Sequence, residues 1–293
     1  DSGLVLQGCI PLVALALPLL LSARHLHGGR ELVYRWEDVP PHVRRIAERE
    51  RQRVELETAR EIQSSILPVL PPQLNGVALA HAYLPASEVG GDFYDVLALD
   101  DGRLAVAVGD VAGHGVSSGL VMSMVRSALA VQVTFDPQVA SVFATLNRMV
   151  FQSARRRLLT TLTYALLDPH QRELIYASAG HVFPYRVTRE GRVYELEGGS
   201  YPLGVRADSL PPVRRERLAA GDSVVLLSDG VVEACREGSD EPFGFGRLAD
   251  SLARHAGGSP HALLRGVLGD LEDFTGHAPR EDDVTVLALR LPD

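Results

Sequence analysis

No lysine occurs anywhere in this 293-residue chain; all 29 of its basic side chains are arginine. A Walker A loop, a protein-kinase active site and a pyridoxal Schiff base each depend on a lysine, so those routes to phosphoryl transfer and amine chemistry are excluded. Cysteine is nearly absent as well. Cys9 and Cys235 stand too far apart to build a disulfide framework or a CxxC metal site, which fits a reducing compartment, and Cys235 reads as a neutral free thiol. Excess positive charge is missing too: a net charge of -8 argues against nucleic acid as a partner, because binding a phosphate backbone needs clustered positive charge. What remains is an ordinary globular composition, 46% hydrophobic and 23% charged, sufficient for one sizeable domain with accessories.

Charge is also absent from Ser2 to Ala23, a run about as long as a bilayer core requires. Arg24, His25, His27 and Arg30 follow it, which by the positive-inside rule puts the remainder of the chain in the cytoplasm. A signal peptide would need a basic start, and a lipoprotein signal would carry its cysteine after the apolar run rather than at Cys9. The chain begins with Asp1, so residues 1–23 are expected to be the last transmembrane span of a larger membrane region. Residues 24–67 are expected to form a juxtamembrane linker helix. Its segment after Pro40-Pro41 is highly charged, with Val43, Ile46, Ala47, Val54, Ile62 and Ile66 at broadly helical spacing. Such a helix is either a solvated rod or a signalling helix that pairs with its twin in a homodimer.

From residue 68 to 293 the pattern becomes short strands, turns and blocks of helix. Phe93 to Leu99 and Leu104 to Gly109 flank Asp101-Gly102, a hairpin signal. Helices are expected over 116–131, 139–155, 245–256 and 261–274, and strands over 162–168, 174–178, 185–188, 193–196, 213–218, 223–227 and 284–291. Hairpin-linked strands with helices inserted in blocks imply antiparallel sheets covered by helices, an α+β architecture.

Four aspartates stand at strand ends: Asp92, Asp110, Asp229 and Asp282. With Asp101-Gly102 as a two-residue turn, Asp92 falls opposite Val111, one position from Asp110, so both carboxylates share the open end of one hairpin. Asp229 ends the strand SVVLLS and Asp282 precedes VTVLAL; if these two strands lie antiparallel side by side, their carboxylates also share an end. Four such carboxylates converging at a sheet edge need a cation, and hard Mg²⁺ or Mn²⁺ suits an all-oxygen site better than zinc or copper. Taken singly, an Asp-Gly pair is usually just a turn; the joint pattern is what carries weight.

The segments GGDFYD at 90–95, GDVAGHG at 109–115, AGH at 179–181, LSDGVVEA at 227–234 and EDDVTV at 281–286 resemble the motif series of the PPM-type phosphatases. The match is to their bacterial SpoIIE/RsbU-like branch, relatives of the metal-dependent type 2C enzymes, and it runs from about Glu61 to Leu291, lead-in EIQSSILP included. The resemblance implies an α-β-β-α sandwich of two antiparallel sheets flanked by helices, with two Mn²⁺ or Mg²⁺ ions at one edge. It implies that Asp110 bridges both ions, that Asp92 and the backbone carbonyl of Val111 bind one, and that Asp229 and Asp282 bind the other. Asp283 competes with Asp282 for the last role; the family's aspartate-x-x-threonine spacing to Thr285 favours Asp282.

The implied chemistry is hydrolysis of phosphoserine or phosphothreonine by a metal-bridging hydroxide, without a covalent phosphoenzyme. His114 is the candidate general acid, since histidine titrates in the right range. It lies four residues after Asp110, however, whereas eukaryotic relatives place a histidine two after the bridging aspartate, and a structural role competes. His181 reads as structural. The implied substrate is a phosphorylated STAS-domain anti-anti-sigma protein in a partner-switching pathway that regulates a sigma factor. Two rivals remain: a non-catalytic phosphoprotein-binding relative, which a missing aspartate would favour, and a nucleotidyl cyclase, which uses a pair of carboxylates rather than four.

Overall fold

The computed structural model describes residues 24–27, 30–33, 39–87, 89–113, 115–153, 159–276 and 278–293. The chain divides into two compact units, Asp1–Ile62 and Gln63–Asp293. In the first, β1 (Arg24–His27) and β2 (Arg30–Val33) pair antiparallel. The expected span over residues 1–23 lies outside the described residues. The linker is not helical from residue 24: α1 (Pro41–Ile66) begins at its second proline. Proline fits there because the first helical N–H has no intrahelical partner to lose. Its exposed face carries local ion pairs, Arg51 with Glu55 and Arg53 with Glu50 and Glu57, and Ile46 and Ile62 of the expected seam are exposed.

The second unit holds every later element. In chain order these are β3 (Gln73–Leu74), β4 (Val77–Leu84), β5 (Phe93–Ala98), β6 (Leu104–Val111), α2 (Val116–Phe135), α3 (Val139–Ser153), β7 (Thr160–Asp168) and β8 (Glu173–Ala179). Then come β9 (Tyr185–Val187), β10 (Val193–Glu195), β11 (Gly199–Ser200), β12 (Arg214–Arg217), β13 (Ser223–Leu227), α4 (Gly230–Glu233), α5 (Gly244–Arg254), α6 (Pro260–Thr275) and β14 (Val284–Arg290). One sheet has the order β10-β9-β13-β14-β4-β3 and the other β11-β8-β7-β6-β5, with β12 also on β8. Every pairing in the second unit is antiparallel except the two-residue contact of β11 with β8.

Alternation along the strands builds three cores and hence four layers. On β6, Leu104, Val106 and Val108 face the other sheet, where they meet Leu226 of β13 and Leu287 and Leu289 of β14. The intervening Ala105, Ala107 and Val111 face α2 and α3, against Met122, Val125, Leu129 and Phe143. On the far side, Val225, Leu227, Val286 and Ala288 meet Leu248 and Leu252 of α5 and Leu263, Val267 and Leu271 of α6. This period-two division is what a sheet buried on both faces requires, and the α-β-β-α sandwich is as the sequence implies.

Two local features correct the sequence reading. The β5–β6 connection has three residues, not two: the Leu99 N–H donates to the Arg103 carbonyl and the Gly102 N–H to Leu99, with Gly102 at φ 87°. A third loop residue in the left-handed region is the common alternative to a two-residue turn. It slips the register by one, so Phe93 pairs with Gly109 and the extension puts Asp92 opposite Asp110 itself. The second feature is β4, which the sequence reading did not single out. It enters from β3 through Asn75-Gly76, both at positive φ, and pairs with β14 from Ala78 to Leu84.

Among the described residues, α2 is the one helix long and apolar enough to cross a bilayer. It buries Met122, Val125, Leu129 and Val133 in the domain core, which accounts for its composition. Met122→Ala should therefore destabilise the fold by about 2–5 kcal/mol, while Leu120→Ala, on the exposed face of the same helix, should change it by under about 0.5 kcal/mol. Equilibrium denaturation of the two variants checks this.

Candidate metal centre

The alternation that sorts the cores also aims the acidic side chains. Asp110 follows Leu104, Val106 and Val108 on the inter-sheet face of β6, and Asp92 shares the parity of Tyr94 and Val96 on β5. On the facing sheet, Ser228 continues the parity of Val224 and Leu226, while Asp283 and Thr285 continue that of Leu287 and Leu289. The inter-sheet layer is thus aliphatic through its length and turns polar at one end, where both sheets terminate in aspartates.

Hydrogen bonds join the sheets at that end. The Thr285 hydroxyl donates to Asp92 Oδ2 at 2.6 Å. Asp283 Oδ1 accepts from the Ala86 N–H at 2.8 Å and its Oδ2 from the N–H groups of Gly91 at 2.9 Å and Asp92 at 3.4 Å. Ser228 braces the same corner, accepting from the Thr285 N–H at 2.9 Å and donating to the Asp283 carbonyl at 3.2 Å. Asp283 is therefore committed to the backbone of the loop carrying Asp92. Asp282, its rival in the sequence reading, is exposed at the tip and accepts from the Asp283 N–H at 2.8 Å. Asp229 is half-buried just before α4.

The electrostatics follow from burial and crowding. Asp92 is buried, and desolvation first, then the Asp110 charge, hold its pKa well above the carboxylate range, while the hydroxyls of Ser228 and Thr285 draw it back down. Asp110 is pushed up to about 7 by burial, then by Asp229, Asp282 and Asp283. Burial, then Glu233, raises Asp229. Asp110 thus senses acidic groups from the opposite sheet.

Do these residues suit a divalent ion? The donor set is hard oxygen throughout, as Mg²⁺ or Mn²⁺ prefers. A Cβ added at Gly91 would come within 2.5 Å of both Asp110 Oδ1 and the Val111 carbonyl oxygen, so these two oxygens flank one spot that only a glycine loop leaves open. Among the described residues, no three acidic, histidine or cysteine side chains are already gathered into a closed cage; the carboxylates are near enough to repel one another, and a cation is what would draw them together. His114, the candidate general acid, lies outside the described residues.

Three structural roles were not read from the sequence. Asp283 and Thr285 act by the parity of the short segment EDDVTV, which the strand register alone reveals. Gln63, at the end of α1, donates through Nε2 to the Gly90 carbonyl at 2.6 Å and accepts from the Gly90 N–H at 3.0 Å, gripping the loop two residues before Asp92. Asp95 of GGDFYD sits away from the centre in a buried pair with Arg126 of α2 at 3.0 Å.

The four-layered sandwich matches solved phosphatase domains. The SiaA-PP2C domain of Pseudomonas aeruginosa superposes with a TM-score of 0.74 at 26% identity, over 83% of this chain and 98% of that one. The RsbU and RsbW domains of Rv1364c from Mycobacterium tuberculosis give a TM-score of 0.65 at 34% identity, over 78% of this chain and 62% of that one. In sequence, the phosphoserine phosphatase RsbU of Bacillus subtilis is 30% identical over 242 residues, 80% of this chain and 70% of that protein. The family model for stage II sporulation protein E (SpoIIE) matches residues 100–292. The chain is therefore a PPM-type protein serine/threonine phosphatase. The chain belongs to the SpoIIE family.

The raised pKa of Asp110 has a measurable consequence. With a pKa moved from 3.8 to about 7, the folded metal-free chain holds a proton that the unfolded chain releases, so stability is greatest below the unfolded value and is lost as pH rises through the folded one. Denaturation in chelator should show stability falling between about pH 4 and pH 7, and Asp110→Asn should flatten that slope. Mn²⁺ should restore stability most at the upper end, because binding requires the deprotonated carboxylates.

Proposed function

We propose that this phosphatase acts on phosphoserine or phosphothreonine of a STAS-domain protein in a bacterial partner-switching pathway, with Asp92, Asp110, Asp229, Asp282 and the Val111 carbonyl holding two Mn²⁺ or Mg²⁺ ions. The observation that carries the reading is the convergence of carboxylates from two sheets on one end, with Asp110 raised to about 7 by burial and by its acidic neighbours. Bound divalent ions would supply a water of lowered pKa and offset charge on the phosphoryl oxygens. The chain's own residues do the rest. Asp110, between the hairpin and the facing sheet, is the residue able to serve both halves of the site. Thr285 orients the Asp92 carboxylate, leaving Oδ1 free of that bond. Asp283 fixes the loop that brings Asp92 and the Gly91 backbone against Asp110. Hydrolysis then breaks the phosphoester P–O bond, returning the serine or threonine hydroxyl and inorganic phosphate.

The test is release of phosphate from a phosphoserine STAS protein by the purified chain, with Mn²⁺ and with chelator. Turnover should require Mn²⁺, and Asp110→Asn should lower it at least about 100-fold, since one bound metal contributes several kcal/mol. Metal-independent turnover, or full activity of the variant, would contradict the reading.

The N-terminal region belongs to the proposal as its input: residues 1–23 anchoring the protein in the cell membrane with the catalytic domain in the cytoplasm, and α1 carrying a signal, with a homodimer through this helix as one form it takes. Gln63 supports this reading, because it is the α1 side chain that holds both backbone groups of Gly90. Gln63→Ala should raise the Mn²⁺ concentration needed for half-maximal activity by about 10-fold or more, as loss of outer support does at metal sites. An unchanged Mn²⁺ requirement would remove Gln63 from the input route.

A further inference from the structure

Past the end of β8, the chain from Gly199 to Leu203 extends the second sheet beside the candidate metal centre. Ser200 pairs in parallel with Ala179, Ala179 with Leu162 and Leu162 with Gly109, and the Gly180 N–H donates to the Ser200 carbonyl at 2.9 Å. One step further along these strands, Tyr201 falls on the row of Thr161 and Asp110. Leu203 then takes the place beside β7 that β8 has left. Its N–H donates to the Thr160 carbonyl at 2.8 Å and its carbonyl accepts from the Thr160 N–H at 3.4 Å, and Thr160 pairs with Val111. Neighbouring strands lie about 4.8 Å apart, so the Tyr201 backbone, three strands over, stands about 14 Å from that of Asp110.

Buried Asn147 of α3 fixes the turn that follows. Its Oδ1 accepts from the Gly204 N–H at 2.9 Å, and its Nδ2 donates to the carbonyls of Arg206 at 2.8 Å and Ala207 at 3.1 Å. A Cβ at Gly204, where φ is 86°, would meet Val150 Cγ1 at 2.7 Å, so only glycine lets the backbone lie this close to the helix. The loop is held by helix and strand together, yet Tyr201 is 54% exposed and Arg206 is exposed beside it. The Arg206 guanidinium lies over the Tyr201 ring, 4.7 Å from its centroid. Other exposed arginines of this domain pair with acids, as Arg215 does with Glu173 and Arg247 with Glu241. Arg206 has no acidic partner among the described residues. A guanidinium stacked on a ring keeps its in-plane N–H groups available to a carboxylate.

We propose that Arg206, stacked on Tyr201, is a specificity-determining residue that receives an acidic side chain of the phosphoprotein substrate beside its phosphoserine. This deepens the function proposed above and rests on it. A stable interface covers about 800 Å² on each partner, a disc of about 16 Å radius, so a protein docked with its phosphoserine at the carboxylate site reaches Tyr201 and Arg206. A small phosphate ester at the same site reaches neither. Charge then selects the partner: this end of the sheets is rich in aspartate and turns acidic surfaces away, whereas an unpaired guanidinium fixed at its margin receives an acid at that place. Tyrosine and arginine are also residue types on which interface energies concentrate.

Steady-state kinetics of the whole chain with Mn²⁺ tests it, on a phosphoserine STAS protein and on p-nitrophenyl phosphate, with thermal unfolding to check each variant's fold. Arg206→Ala should raise KM for the phosphoprotein about 10-fold, and Arg206→Glu further, with the loss falling on KM rather than kcat. Arg206→Lys should recover part of it, because the charge stays while the planar stack is lost. Tyr201→Ala should act in the same direction, and the double variant should cost less than the two single changes combined, because both act on one contact. Salt should raise the wild-type KM for the phosphoprotein more steeply than that of Arg206→Ala. The penalty should be absent with p-nitrophenyl phosphate, which damage to the metal centre or to the loop would not allow. A wild-type KM for the phosphoprotein in folded Arg206→Ala and Arg206→Glu would overturn the proposal, as would an equal penalty on both substrates; Tyr201→Ala decides should the Arg206 variants not fold. The two levels separate in the wild type. If it cleaves the phosphoprotein while the Arg206 variants match it, only the docking role falls; if it cleaves p-nitrophenyl phosphate and not the phosphoprotein, the substrate reading falls and takes this proposal with it.

Discussion

Repulsion among carboxylates at the end of the inter-sheet layer is the constraint around which this domain is arranged. Two sheets pack through valine and leucine over most of their facing surfaces, a contact that favours closure wherever apolar area is removed from water. At one end that same closure presses Asp92 and Asp110 of one sheet toward Asp229, Asp282 and Asp283 of the other, and burial makes the charges of Asp92, Asp110 and Asp229 more costly. The aliphatic packing supplies the force that holds the acids near one another, and the hydroxyls of Thr285 and Ser228 relieve part of the resulting cost at Asp92.

Adjacent acids here have separate work. Asp283 gives its oxygens to three backbone N–H groups and so organises the glycine loop, whereas Asp282 stands exposed at the tip. The same division separates Asp92, bonded across the sheets to Thr285, from Asp95, three residues on, whose partner is Arg126 of α2. Loop, helix and sheet then meet at Gly90, which Gln63 holds through both of its backbone groups.

How much of this was legible in the sequence depends on whether local pattern or distant pairing decides the feature. The apolar run 223–227 is a strand as read, and the pairing of β13 with β14 puts Asp229 and Asp282 at a shared end as expected. The Asp92–Asp110 hairpin was legible too, but its register was off by one, because Asp100-Asp101-Gly102 supports a three-residue loop as readily as a two-residue turn. The β3–β4 hairpin carried a readable signal in Asn75-Gly76 that went unused. The bracing roles of Asp283 and Gln63 were illegible for a physical reason: their partners lie 192 and 27 residues away, and neither residue breaks the local pattern. Position along the chain likewise hides His181, whose Nδ1 meets the hydroxyl of Thr161, 20 residues earlier.

The most direct test of the account is where manganese sits. Crystals of the protein grown with Mn²⁺ and measured at the manganese absorption edge should show anomalous density between the Asp92–Asp110 hairpin and the Asp229–Asp282 strand ends, with Asp110 and the Val111 carbonyl among the nearest oxygens and Asp283 still bonded to the loop. Density centred on Asp283, or none at this end of the sheets in crystals saturated with the ion, would contradict it.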